Sequence, residues 1–234
     1  MRSSQRYTEK HFHNGETLNP LVNFATSLMS LRAKHVIYVA PHIRELLYFK
    51  AKKYTILPCG VEIPEVDTLD KASIRRQLGL SIDKKYILFG GAFTNKRKNV
   101  DLLYRSIDFL HRNDIVVLEM KGLSKETVAK YMIASDCFCL PSKSEGSPQA
   151  LKEAMACGLP IVATNVGDVS WLLSGLEGCY VAQSRDSQEL ANLLEQALAF
   201  KSRTNGRERL IDLGLTNDVV ANKLITIYNQ VLDR

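Results

Sequence analysis

Glu145 and Glu153 stand on either side of the segment Gly146-Ser147-Pro148-Gln149-Ala150. Ser147 has the residue type of an N-cap and Pro148 suits the first helical position, so a helix is expected to open here; Gly158 and Pro160 close it. A helix start offers unpaired backbone N–H groups and the positive end of the dipole, which suits a phosphate. The donors would be the amides of Gln149 and Ala150 with those of Gly146 and Ser147, and Gly146 lets a bulky ligand approach the main chain. Both carboxylates accept hydrogen bonds, so together they suit the hydroxyls at the two ends of a sugar nucleotide. A Ser-Pro helix start with two solvated glutamates also occurs as plain structure, and spacing alone does not choose between the readings.

A second segment, Gly90-Gly91-Ala92-Phe93-Thr94-Asn95-Lys96-Arg97-Lys98-Asn99, places three consecutive cations after a pair of glycines. Arg97 offers a fork of donors, and Lys96 or Lys98 a point charge, to a diphosphate. Neither GxxxxGK[ST] nor GxGxxG occurs, which lowers the ATPase and dinucleotide-dependent dehydrogenase readings. A solvated basic loop is the competing account.

Both segments require strands that end just before them. Short apolar runs at Tyr86 to Phe89, Ile115 to Glu119, Cys137 to Leu140, Ile161 to Thr164 and Cys179 to Val181 predict those strands. Helical spacing fills the intervals at Val100 to His111, Lys125 to Ala134, Pro148 to Ala156, Ser187 to Phe200 and Val219 to Leu232. The alternation predicts an α/β fold, a Rossmann-like parallel sheet flanked by helices. Upstream, Asn23 to Ala33 reads as helix, His35 to Ala40 as strand, Pro41 to Lys50 as helix and Tyr54 to Leu57 as strand, pieces of a second and incomplete Rossmann-like unit. Pro58, Gly60 and Pro64 mark the join. The expected division is 1–64 for this remnant and its linker and 65–234 for the larger domain, the last helix packing back on the first part.

No apolar run approaches the twenty or so residues of a membrane span, and Met1-Arg2-Ser3-Ser4-Gln5-Arg6 leads into no apolar stretch, so a cytoplasmic protein is expected. Five cysteines with no second close pair and no histidine cluster read as reduced thiols rather than a metal site. A net charge of +6 suits phosphorylated ligands or an anionic membrane face, while the lack of aromatics interleaved with Lys and Arg argues against nucleic acid.

Taken together the segments resemble the retaining glycosyltransferases of family 4, whose GT-B fold sets two Rossmann-like domains across a cleft. The resemblance rests on Glu145 to Glu153 as the family's E-x7-E element, within Ser144-Glu145-Gly146-Ser147-Pro148 and followed by Glu153-Ala154-Met155-Ala156-Cys157-Gly158-Leu159-Pro160. Asn165-Val166-Gly167-Asp168 is similar to the next loop, and Leu57-Pro58-Cys59-Gly60-Val61-Glu62 to the interdomain junction. The resemblance implies transfer of a sugar from a nucleoside diphosphate to a hydroxyl acceptor with retained configuration, without metal or cofactor, in polysaccharide or glycoconjugate synthesis. It implies that Glu153 holds the ribose, that Glu145 is the catalytic-site carboxylate near the donor sugar, and that the amides of Gly146 through Ala150 neutralise the diphosphate. The family's diphosphate grip uses an Arg and then a Lys; Lys98 fits the second place, Gly91 or Phe93 stands in the first, and Arg97 or Lys96 is expected to compensate. Phe12-His13-Asn14-Gly15-Glu16 resembles an acceptor-side segment and makes His13 a cleft candidate. Most of the acceptor-binding half has no counterpart here. The alternative reading is therefore a non-catalytic nucleotide-sugar-binding module, or one subunit of a split transferase whose partner supplies that half.

Overall fold

The computed structural model describes residues 20–65 and 70–233. His13 and its neighbours lie outside the described residues. The first unit contains α1 (Pro20–Arg32), β1 (Val36–Tyr38), α2 (Pro41–Glu45) and β2 (Tyr54–Ile56), with β1 and β2 paired in parallel. The second contains α3 (Lys71–Gln77), β3 (Lys85–Phe89), α4 (Val100–Phe109), β4 (Ile115–Glu119), α5 (Lys125–Ala134), β5 (Cys137–Leu140) and α6 (Gln149–Ala156). It continues through β6 (Ile161–Thr164), α7 (Val169–Leu173), β7 (Cys179–Ala182), α8 (Ser187–Ala199), α9 (Gly206–Asp212) and α10 (Asn217–Leu232).

All pairings in the five-stranded sheet are parallel and the order is β4-β3-β5-β6-β7. A parallel sheet must be covered on both faces, and alternate residues accordingly enter two cores. Leu88, Phe138 and Leu140 pack on one side with α6 and α7, whereas Ile87, Phe89, Cys137 and Cys139 pack on the other with α4 and α8. This explains why Cys137 to Leu140 is apolar throughout and fully buried.

The chain leaves β3 toward β4 on one side and returns to β5 on the other. The order therefore reverses between β3 and β5, and the crevice beyond their carboxyl ends is where ligands bind in sheets of this kind. Both predicted ligand loops leave these two strands. Gly90 is needed there because a Cβ would lie 2.6 Å from Phe138 Cζ. α6 closes with Gly158 at φ +63°, Gly158 N–H donating to Met155 O and Leu159 N–H to Ala154 O, the paired pattern of a Schellman end.

Between the units the chain is tied to the larger one. Val61 N–H donates to Leu215 O and Asn217 N–H to Val61 O, while Gln149 Nε2 reaches Gly60 O at 2.9 Å and Lys152 Nζ reaches Cys59 O at 2.5 Å. Cys59 is the exposed cysteine; Cys137, Cys139 and Cys157 are buried and Cys179 is half-buried.

Candidate functional site

The loop after β3 is held against the loop after β5. Asn99, left-handed at φ 59°, precedes α4 and donates from Nδ2 to Pro141 O, and Lys143 N–H donates to Arg97 O. This lacing turns the two cations inward. Lys98 Nζ lies 2.7 Å from Glu145 Oε1, Arg97 Nη1 lies 2.9 Å from Oε2, and Ser142 Oγ donates to Oε1 at 2.8 Å. Arg97 also donates to Ser144 O at 2.6 Å. Burial pushes the Glu145 carboxyl up, but Lys98, Arg97 and Ser142 outweigh it and leave it below the usual range, so the group stays ionised. Gly91 matters by its bareness: a Cβ would sit 2.8 Å from Lys98 Cγ. Lys96 is exposed.

The start of α6 differs from expectation in one respect. Pro148, at ψ 113°, occupies the N-cap place, no side chain caps the helix, and Gln149 is the first helical residue. Ser147 does not serve as the cap, because an extended Pro148 separates its hydroxyl from the first turn. Among the described residues the amides of Gly146, Ser147, Gln149 and Ala150 find no acceptor. The start of α6 therefore carries unpaired donors, although the side chain of Gln149 points to the linker.

Glu153, one turn further along, is half-buried, and its carboxylate makes no hydrogen bond or ion pair among the described residues. Burial raises its pKa against the pull of Lys125 and Lys152. The structure thus gives the two glutamates different states: Glu145 is neutralised by cations, while Glu153 has its hydrogen-bonding capacity unused.

Residues outside the predicted set also join the site, Ser142 above among them. His42, on α2, bonds through its ring to the main chain of Glu145, and burial lowers its pKa; Ile43 Cδ1 lies 3.3 Å from where a Gly146 Cβ would be. The smaller unit therefore lies over the loop, a placement that periodicity cannot reveal. Asp168 is buried beneath the cradle with no hydrogen-bond partner for either oxygen, and the Ser147 hydroxyl is likewise buried without one. Burial pushes Asp168 up to about 6, opposed by the nearby Ser147 hydroxyl and Lys152 charge. Its neighbour Gly167, at φ +58°, comes so close that a Cβ would be 2.4 Å from Gly146 O. The only signal in the sequence was the place of Asn165-Val166-Gly167-Asp168 after a strand of the same sheet.

Chemically, the site offers unpaired amides, two cations on one buried carboxylate, and a second, half-buried carboxylate free to accept from hydroxyls. Among the described residues, no cluster of His, Cys, Asp and Glu has the make-up of a metal site.

Residues 112–199 match the family model described as glycosyl transferases group 1. A putative teichuronic acid biosynthesis glycosyltransferase of Bacillus subtilis is 28% identical over 158 residues, covering 60% of this chain and 40% of its own length. A D-inositol 3-phosphate glycosyltransferase of Actinosynnema mirum is 26% identical over 226 residues, covering 77% and 52%. The chain spans about half the length of the curated relatives it matches. Among solved structures, sucrose-phosphate synthase from Thermosynechococcus elongatus superposes with a TM-score of 0.74 at 22% identity, over 89% of this chain and 61% of that one. Anabaena HepE, solved with UDP-glucose, gives 0.64 at 18% identity over 86% and 66%. The fold is that of the GT-B C-terminal domain with part of a second Rossmann-like unit, and the match over 112–199 supports a group 1 glycosyltransferase.

Proposed function

We propose that the chain carries the donor side of a family 4 glycosyltransferase, which moves a sugar from a nucleoside diphosphate to a hydroxyl with retention of configuration. The observation that carries this reading is the uncapped start of α6 at the point where the strand order reverses, its free amides beside Arg97 and Lys98. As the diphosphate departs, negative charge grows on its oxygens. Preoriented N–H groups and cations stabilise that charge most where water is excluded, so the step needs no metal or other cofactor. Arg97 and Lys98 rest on Glu145 without ligand and would share themselves with the diphosphate; Glu145 then lies beside the donor sugar, and Glu153 accepts from the ribose. Division at 1–64 and 65–234, a cytoplasmic site of action and a lipid-linked or sugar acceptor belong to the same proposal, as does a role in polysaccharide assembly.

Thermal unfolding with nucleoside diphosphates and their sugars tests it. A ligand at a hundred times its Kd adds about 2.7 kcal/mol of stability, and Glu153→Ala should abolish the shift given by the true ligand. A panel in which no nucleoside diphosphate shifts the wild type rejects the reading.

The chain's span of about half its relatives favours a second reading, in which it binds the donor without turning it over until an acceptor-side partner is present. Donor hydrolysis by the chain alone separates the two.

A further inference from the structure

Asp168 is an acid that the fold leaves unused. It stands at the N-cap of α7, where an aspartate ordinarily accepts from the first turn, yet its side chain makes no cap bond. It is 1% exposed, neither carboxylate oxygen has a hydrogen-bond partner, and the Ser147 hydroxyl beside it is buried and equally unpartnered. An unpaired buried acid costs folding free energy, so its place beneath the start of α6 points to a task other than folding. Gly167 fixes that place: left-handed at φ +58°, it brings the main chain of Asn165-Val166-Gly167-Asp168 against Glu145 and Gly146, where a Cβ would lie 2.5 Å from Glu145 O.

Burial raises the carboxyl to about 6 against the pull of Ser147 and of Lys152 on α6, and Glu145, in the loop after β5, adds to the rise. The other charges on the elements packed here are already engaged. Lys152 donates to Cys59 O, Arg209 on α9 donates to Trp171 O, and Lys98 and Arg97 hold Glu145, whose main chain bonds His42 on α2. A diphosphate at the start of α6 would add negative charge beside this acid. Like charge makes the carboxyl hold a proton more tightly, and by reciprocity the proton makes the diphosphate bind more tightly. The protonated acid also gains an O–H, which the adjacent Ser147 hydroxyl can accept.

Resting on the donor reading above, we propose that Asp168 is a positioning residue of the donor site: it takes up one proton from solvent as a nucleoside diphosphate sugar binds, and in its neutral form it holds Ser147, whose amide is one of the unpaired donors at the start of α6.

Titration calorimetry with UDP-, GDP-, ADP- and dTDP-glucose, from about pH 5 to about pH 8, tests the proposal. Their diphosphates are esterified at both ends and lack the ionisation near about pH 6 of a terminal phosphate, so a slope with pH belongs to the protein. Wild type should bind about tenfold more tightly at the acid end, and its heats in two buffers of different ionisation enthalpy should show net proton uptake. Asp168→Asn, which cannot ionise but keeps a donor for Ser147, should hold close to the acid-end affinity throughout. Asp168→Ala should be equally flat but about fivefold weaker, having lost the bond to Ser147. His42→Gln is the control for the other titrating group and should keep the slope. No proton uptake by wild type, a slope that persists in Asp168→Asn or disappears in His42→Gln, or an Asp168→Asn protein weaker than wild type at every pH would each overturn the assignment and leave the donor reading standing. Binding of none of the four nucleotide sugars at any pH would overturn both.

Discussion

Asp168 and Glu145 illustrate two ways of placing a carboxylate beside the start of a helix. Glu145 is buried with Lys98 and Arg97 upon it and is held ionised, so its contribution to stability is present above the carboxylate range and is lost as pH falls through its lowered folded pKa. Asp168 runs the other way. Its folded pKa of about 6 lies above the 3.8 of the free group, so the folded state holds the proton more tightly. The penalty is absent below the free pKa, grows as pH rises between the two values and is complete above the folded one; the shift corresponds to about 3 kcal/mol. Asp168→Asn should therefore unfold at higher denaturant than wild type at pH 8, the advantage shrinking toward zero near pH 4, as denaturant melts across pH would show. Glu145 and Glu153 were legible from their type and spacing, but the state of each was not. Burial and cation pairing depend on the 97–99 loop crossing the 141–145 loop, contacts nearly fifty residues apart in the chain.

At the scale of elements, glycines with positive φ separate folding from site geometry. Gly158 closes α6, where a Cβ would meet Thr204 O at 3.1 Å, whereas a Cβ on Gly167 would strike Gly146 O at 2.4 Å. Gly158→Ala should cost about 1–2 kcal/mol of stability and leave nucleotide affinity unchanged in titration calorimetry. Gly167→Ala should also weaken nucleoside diphosphate binding, since the cradle must shift to admit the methyl group. Strands β4, β5 and β6 and helix α5 have the boundaries that alternation and helical spacing indicate, because each buries an apolar run between polar turns. α3, α7 and α9, with five to seven residues each, escaped that reading: they are too short to show a period. Asp70 caps α3 by accepting from the Ala72 and Ser73 N–H groups. α1 has helical periodicity, but the pattern cannot say which stripe faces in; polar bonds to residues 46–49 decide that.

For the whole molecule, the linker matters because it meets the start of α6. Gln149 carries an amide of the cradle and a side chain bonded to Gly60 O, and Val61 is bonded into the loop before α10. A ligand that orders the first turn of α6 should therefore slow hydrogen exchange at Val61 and Asn217, and Gln149→Ala should diminish that protection while sparing strand amides such as Leu88. Sequence alone marks this region by Pro58, Gly60 and Pro64 but not by its attachments, which come from α6 and from Leu215 and Asn217 at the start of α10, far along the chain. Cys59, whose carbonyl takes Lys152, lies within the same join and exposes its side chain, whereas burial pushes the thiols of Cys157 and Cys179 up to about 11 and that of Cys139 higher still. Cys59 is thus the exposed thiol among the cysteines, and a maleimide dye placed there would report optically on the join itself when the start of α6 takes a ligand.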